Sequence, residues 1–293
     1  MALKRAHDQI DHVDEQPEAL SFRVPDAKLF KAFIDAMLPL RIEYDINITF
    51  TPTSVRACFL DSGHTSILKF ELSAERFLDY YCPREQILGI NLGELTRNLG
   101  SVGKHDAIFM RHIYGSTKFT MRIVTSEERT SDGRLKQMRK TSTYNLNTYD
   151  YDEEAIDIPK VHYHACVDLA SVQYVSIIKE LLHVGDVATF EAWPEGIMLF
   201  SIVTGTTPDV TIRLERDPDY PDYACVAERY AKSLFSLTCL MNFAPACKLG
   251  THMRLRFNHD TLEPDGVMAP LELRFEFPLG CMTCYLAPQI PDN

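Results

Sequence analysis

Two stretches of this chain recur. Residues 48–59 (ITFTPTSVRACF) align with 188–200 (ATFEAWPEGIMLF) after insertion of one residue, and 103–112 (GKHDAIFMRH) align with 250–259 (GTHMRLRFNH). The offsets, 140 and 147 positions, are close enough to describe one duplication. This repeat constrains the fold more than any other feature, because each copy must build the same core from the same order of elements. A length of 293 residues gives each copy the size of an ordinary domain.

The repeated unit mixes helix and strand. Over 26–38, Phe30, Phe33, Ile34 and Met37 recur at i, i+3, i+4, i+7, one face of a helix, with Lys28 and Lys31 turned away from it. Asp26 offers an N-cap oxygen and Pro39 marks the end. In TSILKFEL, Leu68, Phe70 and Leu72 alternate with Ile67, Lys69 and Glu71, the period of a strand buried on one side. A second helix is predicted over 92–99, capped by Asn91, with Leu92, Leu95 and Leu99 on one face; strands follow at 106–113 and 117–125. The pattern then restarts. Ser171 is the expected cap of a helix that buries Tyr174, Ile177, Ile178 and Leu181, presents Ser176, Lys179 and His183, and closes at Gly185. A last helix is expected over 233–244, with strands to the C-terminus. The expected division is a disordered acidic tail over 1–20, a first domain over 21–148, a linker over 149–163 and a second domain over 164–293.

Charge bears on partners. The 30 Lys and Arg against 41 Asp and Glu give a formal net charge of −11, which excludes a protein that grips phosphate over its whole surface. The acidic residues are segregated: Asp8, Asp11, Asp14, Glu15 and Glu18 near the N-terminus, Asp150, Asp152, Glu153, Glu154 and Asp157 in the linker, and Glu215, Asp217, Asp219 and Asp222. The predicted helices carry few of them. Eight scattered cysteines among apolar neighbours read as small buried hydrophobes of a reducing compartment, not as a disulfide framework. No apolar run reaches the length of a bilayer span and the N-terminus lacks a secretory pattern, so an intracellular location is expected.

Catalytic signals are missing. No Gly-rich phosphate loop, GxSxG elbow or HExxH occurs, and pairs such as Glu153–Glu154 lie in a charged linker, so neither enzyme activity nor a cofactor is expected. Cys281 and Cys284 form a lone CxxC with no second pair. His162 and His164 share one strand face and could hold a metal, but no third ligand lies near them in the sequence, so no metal is expected.

Five segments, in order, carry a resemblance to a known family. LDSGHTSILKFEL (60–72), RFLDYYC (76–82), LGINLGELTRNL (88–99), ELLHVGD (180–186) and CYLAPQI (284–290) resemble segments of the proliferating cell nuclear antigen family of sliding DNA clamps, spanning about residues 22–290. The resemblance implies an α+β clamp fold: two similar domains, each with two helices on a curved antiparallel sheet, and three subunits closing head to tail around a hole lined by helices. The implied function is that of a processivity factor. Such a homotrimer encircles duplex DNA without reading sequence and recruits DNA polymerase, clamp loader and repair proteins through a hydrophobic peptide groove. The implied location is the nucleus, or the site of viral DNA replication for a viral lineage.

The resemblance also implies residue roles. The subunit boundary would join strand 142–149 to strand 209–215, with Tyr144 and Leu146 facing Val210, Ile212 and Leu214; each strand is equally accounted for inside its own sheet. Residues expected to face DNA are Lys28, Lys31, Arg97, Lys104, Lys179, His183 and Lys248, any one of which alone reads equally as a solvated side chain. The peptide groove would be built from Leu60, His64, Ile67, Ile156, Ile158, Pro159, Tyr163, Pro270, Tyr285, Leu286, Ala287, Pro288 and Ile290. The chain departs from the family at Gly100, Thr238 and Ala246, where basic residues are expected, and at Thr65, where an aliphatic is. The position of the family's ubiquitin-accepting lysine falls on or beside Pro194 in AWPEG, so control by that modification is not expected here. Residues 126–141 form an enlarged loop with Arg129, Arg134, Lys136, Arg139 and Lys140, read as solvated or as an extra DNA or partner contact. Two rival readings are a subunit of a heterotrimeric clamp of the checkpoint or archaeal kind, and a monomeric polymerase accessory factor. The C-terminal CYLAPQI argues against the first, and the net charge of −11 against the second.

Overall fold

The structure, a computed structural model, describes residues 17–40, 45–125, 128–129, 135–137, 139–149, 156, 158, 160–203, 208–215, 224–259 and 268–290. Its first half runs β1 (Glu18–Val24), α1 (Ala27–Met37), β2 (Asp45–Phe50), β3 (Ser54–Leu60), β4 (Ser66–Ser73), β5 (Leu78–Tyr81), β6 (Gln86–Asn91), α2 (Leu92–Asn98), β7 (Ala107–Ile113) and β8 (Lys118–Thr125). A small hairpin of β9 (Glu128–Arg129) and β10 (Leu135–Gln137) precedes β11 (Lys140–Tyr149). The second half repeats the order: β12 (Ala165–Ala170), α3 (Ser171–Leu182), β13 (Val187–Trp193), β14 (Ile197–Val203), β15 (Pro208–Glu215), β16 (Ala224–Ala227), β17 (Ala231–Ser236), α4 (Leu237–Asn242), β18 (His252–Phe257), β19 (Leu271–Phe277) and β20 (Gly280–Leu286).

Helix starts follow side-chain chemistry. Asp26 Oδ1 accepts from Leu29 N at 2.9 Å and Asn91 Oδ1 from Glu94 N at 2.7 Å, each satisfying an orphan amide of the first turn. Three expectations are corrected. The cap of α3 is Ala170, with no side-chain bond; Ser171 is the first helical residue, its amide donating to Thr251 O and its buried hydroxyl without a partner. The helix expected over 233–244 begins only at Leu237. Residues 231–236 are β17, where Ala231, Ser233 and Phe235 alternate inward against β13, and Ser236 caps α4. The stretch expected as tail ends earlier, since β1 starts at Glu18 and buries Ala19 and Leu20 completely.

The duplication extends to most strand pairings, although the β6–β11 pairing has no β17–β20 counterpart among the described residues. β1 lies between β5 and β7, as β12 lies between β16 and β18. β2 lies between β3 and β6, as β13 lies between β14 and β17. β3–β4 and β7–β8–β11 match β14–β15 and β18–β19–β20. Superimposing the ladders puts Ile48 with Phe190 and Ile108 with Met253, all buried on the core face. Both sequence alignments were therefore two residues out. Alternation fixes which face a side chain takes, and a slip of two leaves that unchanged.

One pairing joins the halves: β20 lies antiparallel against β4, from Gly280↔Leu72 to Leu286↔Ser66, making a 14-stranded sheet beside the four-stranded sheet β15-β14-β13-β17. Gly280 is demanded there. A Cβ on it would lie 2.2 Å from Glu71 O and 2.8 Å from Leu72 Cα, so only glycine lets the strands meet. The core crosses the seam as well, with the Phe33 ring of α1 against Phe70 of β4 (5.0 Å) and Phe277 of β19 (5.8 Å). The helices share one layer: α1 touches α2 and the 3-10 turn Ala244–Lys248, which in turn touches α3 and α4.

Candidate functional site

Two surfaces collect the residues singled out in the sequence. The first is the helix layer. Lys28, Arg97, Lys104, Lys179, His183 and Lys248 are all exposed on its helices, their ends or adjoining loops. Lys31 is half-buried and its Nζ lies 2.6 Å from Asp35 Oδ2 one turn on, so its charge is neutralised in place. The layer is weakly basic: few cations, spread apart and unbonded to any base-reading scaffold, a distribution suited to diffuse attraction for phosphates.

The second surface is the outward face of the long sheet. Leu60, Ile67, Tyr285, Glu272, Arg256, Cys166 and Val226 are successive Cα partners across seven strands, β3-β4-β20-β19-β18-β12-β16. Cross-strand partners share a face, so they form one lateral row roughly 29 Å long at the usual strand spacing. One end is apolar (Leu60, Ile67, Tyr285). In the middle Arg256 Nε donates to Glu272 Oε1 at 2.8 Å, and the Tyr163 ring lies 5.4 Å from the Arg256 guanidinium. Glu272 is 5% exposed, so its carboxylate is covered while Arg256 stays partly open to solvent, and the Tyr163 ring adds a cation–π contact to the guanidinium. Burial, reinforced by the Glu272 charge, raises the Tyr163 phenol well above its ordinary value and pushes Tyr285 up to about 12.

The row is bordered by the loop after β3 and by the C-terminal segment. Asp61 Oδ1 accepts from Thr65 N and Ser66 N, both at 2.8 Å, which closes the loop and puts exposed His64 at φ 53°. Ala287 N donates to Thr65 O (3.0 Å) and Gln289 N to Leu234 O (2.8 Å), pinning the C-terminal segment to both halves. Ala287 and Ile290 stay exposed, Ile290 by 79%. Ile156, Ile158, Pro270 and Pro288 are half-buried; Pro159 lies outside the described residues.

Some expected site residues face elsewhere. Leu286 is 1% exposed and Leu146 fully buried, both on the core face, so neither side chain lines an outer surface. Tyr144, Val210, Ile212 and Leu214 pack partly against the core. Pro194 sits exposed in the β13–β14 turn. Of the basic loop 126–141, the described part includes Arg139 and Lys140, both exposed. Arg256, Glu272, Cys166 and Val226 were missed. The alternation of HMRLRF and LELRFEF marks outward charges, but only the ladder sets Arg256 beside Glu272. Glu228, remote in sequence, comes beside His162 and His164.

Comparison with known proteins agrees with this architecture. The profile of the proliferating cell nuclear antigen N-terminal domain matches residues 19–155. The proliferating cell nuclear antigen of Chaetomium thermophilum is 24% identical over 279 residues, covering 94% of this chain and 99% of that protein. The crystal structure of the Entamoeba histolytica proliferating cellular nuclear antigen superimposes with a TM-score of 0.78 at 19% identity, over 94% of this chain and 100% of that one.

Proposed function

This chain is a divergent member of the proliferating cell nuclear antigen family of sliding clamps, and we propose that three copies close head to tail into a ring around duplex DNA. The observation that carries the ring is the β4–β20 pairing within the chain. The duplication makes β11 the counterpart of β20, and β15 the counterpart of β4. Within the described residues β15 ends its sheet, and residues 140–147 of β11 pair with β8 alone. The contact that joins two halves of one chain thus recurs between β11 of one subunit and β15 of the next. Repetition of that head-to-tail step closes a ring.

The counterpart ladders also give its register. Phe70 of β4 corresponds to Ile212 of β15, and Met282 of β20 to Ser142 of β11. Phe70 faces Met282 within the chain, so Ile212 faces Ser142 of the next subunit. Thr211 then meets Thr143, Val210 meets Tyr144, and Glu215 stands opposite Arg139. A carboxylate facing a guanidinium across the seam favours this register.

In such a ring the helix layer lines the hole. Lys28, Arg97, Lys104, Lys179, His183 and Lys248 hold DNA loosely, and the weakness of each contact permits sliding. The outward row takes partner peptides of polymerases, the clamp loader and repair proteins. Aromatic anchors enter the Leu60–Ile67–Tyr285 end, and the exposed C-terminal residues offer main-chain groups alongside. Topological tethering needs no reacting group, so the reading is of a non-enzymatic scaffold. Its place of work is the nucleus, or the site of viral DNA replication.

Light scattering tests the ring first. A species near three times 33.5 kDa is expected, retained after loading on closed circular DNA and lost when the circle is cut. A stable monomer, or equal retention on linear and circular DNA, overturns it.

A further inference from the structure

His162 and His164 emerge from the connecting segment just before β12, and the chain leaving β16 brings Glu228 to them. Glu228 N donates to His164 O at 2.8 Å, continuing the β12–β16 ladder one pair beyond Ala165↔Ala227. Alternation puts His162 and His164 on one face, and Glu228, across from His164, joins them there. His162 Nε2 lies 3.0 Å from Glu228 Oε2, and one ligand atom from each of the three residues falls within 4.8 Å of the others. The backbone beneath them is clamped. Asn258, 4% exposed, donates through Nδ2 to His162 O (3.0 Å) and accepts from His164 N at Oδ1 (2.7 Å). One buried amide therefore fixes both histidines, the kind of support that preorganises ligands.

We propose that His162, His164 and Glu228 bind a divalent transition-metal ion of the zinc class, with water completing the coordination. Two imidazoles and one carboxylate make a borderline-soft donor set suited to Zn²⁺ and disfavoured by Ca²⁺ and Mg²⁺, which prefer oxygen alone. Tetrahedral bonds of about 2.0–2.1 Å put ligand atoms roughly 3.3–3.5 Å apart. The His162–Glu228 separation is already shorter, and rotation of the exposed His162 and Glu228 side chains towards the half-buried His164 brings the three atoms together. Arg229 opposes the ion: its Nη2 lies 3.0 Å from His164 Nε2 and 3.3 Å from Nδ1. Being exposed, it can swing into solvent when the metal arrives. Tyr163 lies between the two histidines and points the other way, onto Arg256. A bound ion thus locks the end of the connecting segment in the register that holds Tyr163 in the outward row.

Titration calorimetry of the full-length protein with ZnCl₂ in chelator-free buffer tests the site, with CoCl₂ absorption reporting its geometry. One saturable equivalent per chain is expected, with a tetrahedral cobalt spectrum. His162→Gln and Glu228→Gln each weaken binding by about tenfold or more, whereas Arg229→Gln tightens it severalfold. Circular dichroism melts confirm that the exposed-site variants remain folded. Binding that is unsaturable, or undiminished in the His162→Gln/His164→Gln double variant, overturns the proposal and assigns any zinc to other histidines or cysteines.

Discussion

The register inferred for the subunit seam can be tested with a covalent ruler. Thr143 and Thr211 are exposed and face each other across the inferred β11–β15 seam. Antiparallel partners have Cα atoms about 4.5–5.5 Å apart, inside the range of about 4.4–6.8 Å that a disulfide spans. A slip of two residues moves one strand by about 6.8 Å along the other, so the Cα separation grows to roughly 8.5 Å and no bridge forms. Thr143→Cys with Thr211→Cys should therefore crosslink under mild oxidation into covalent dimers and closed trimers on a non-reducing gel. Thr141→Cys with Thr211→Cys should not. The single variants set the background from the native cysteines, of which Cys82, Cys225 and Cys284 are buried and the other five only partly so. Crosslinking by the second pair and not the first would refute the transfer of register from β4–β20. Crosslinking by neither would refute the seam itself.

Three further outcomes are expected. Gly280→Ala forces a Cβ to 2.2 Å from the Glu71 carbonyl, where neither backbone can yield, and should destabilise the fold by roughly 3 kcal/mol; an unchanged urea midpoint would contradict the close approach. Tyr285→Ala removes the aromatic wall of the outward row. It should weaken binding of a fluorescent peptide carrying two aromatic anchors by about 2 kcal/mol, or roughly thirtyfold, with the ring mass unaltered. Full affinity in anisotropy titrations would move the groove elsewhere. Burial pushes the Cys247 thiol up from 9.0 to about 12. The raised value belongs to the folded state, so its contribution is complete below pH 9 and declines as pH climbs from 9 towards 12. Thermal melts should fall over that window, less steeply in Cys247→Ala; an identical slope in the variant would exclude the thiol as a cause.

What the sequence determined by itself was local or periodic. Asp26 and Asn91 mark helix starts because a cap acts within three residues. Alternation in 67–72 announces a one-sided strand, and the repeat announces two like domains; together with the five ordered segments these were enough for fold and family. Register escaped, because a slip of two preserves every inward and outward assignment. Residue faces at Leu146 and Leu286 escaped too, since resemblance transfers positions and not side-chain directions. Segment 233–236 reads as helix until β13 offers it a ladder, and tertiary pairing then outweighs weak local preference. The Arg256–Glu272 pair of the outward row and the His162–His164–Glu228 cluster bring together residues 16 and 66 positions apart. Such meetings depend on which strands lie side by side, and only the assembled sheet decides that.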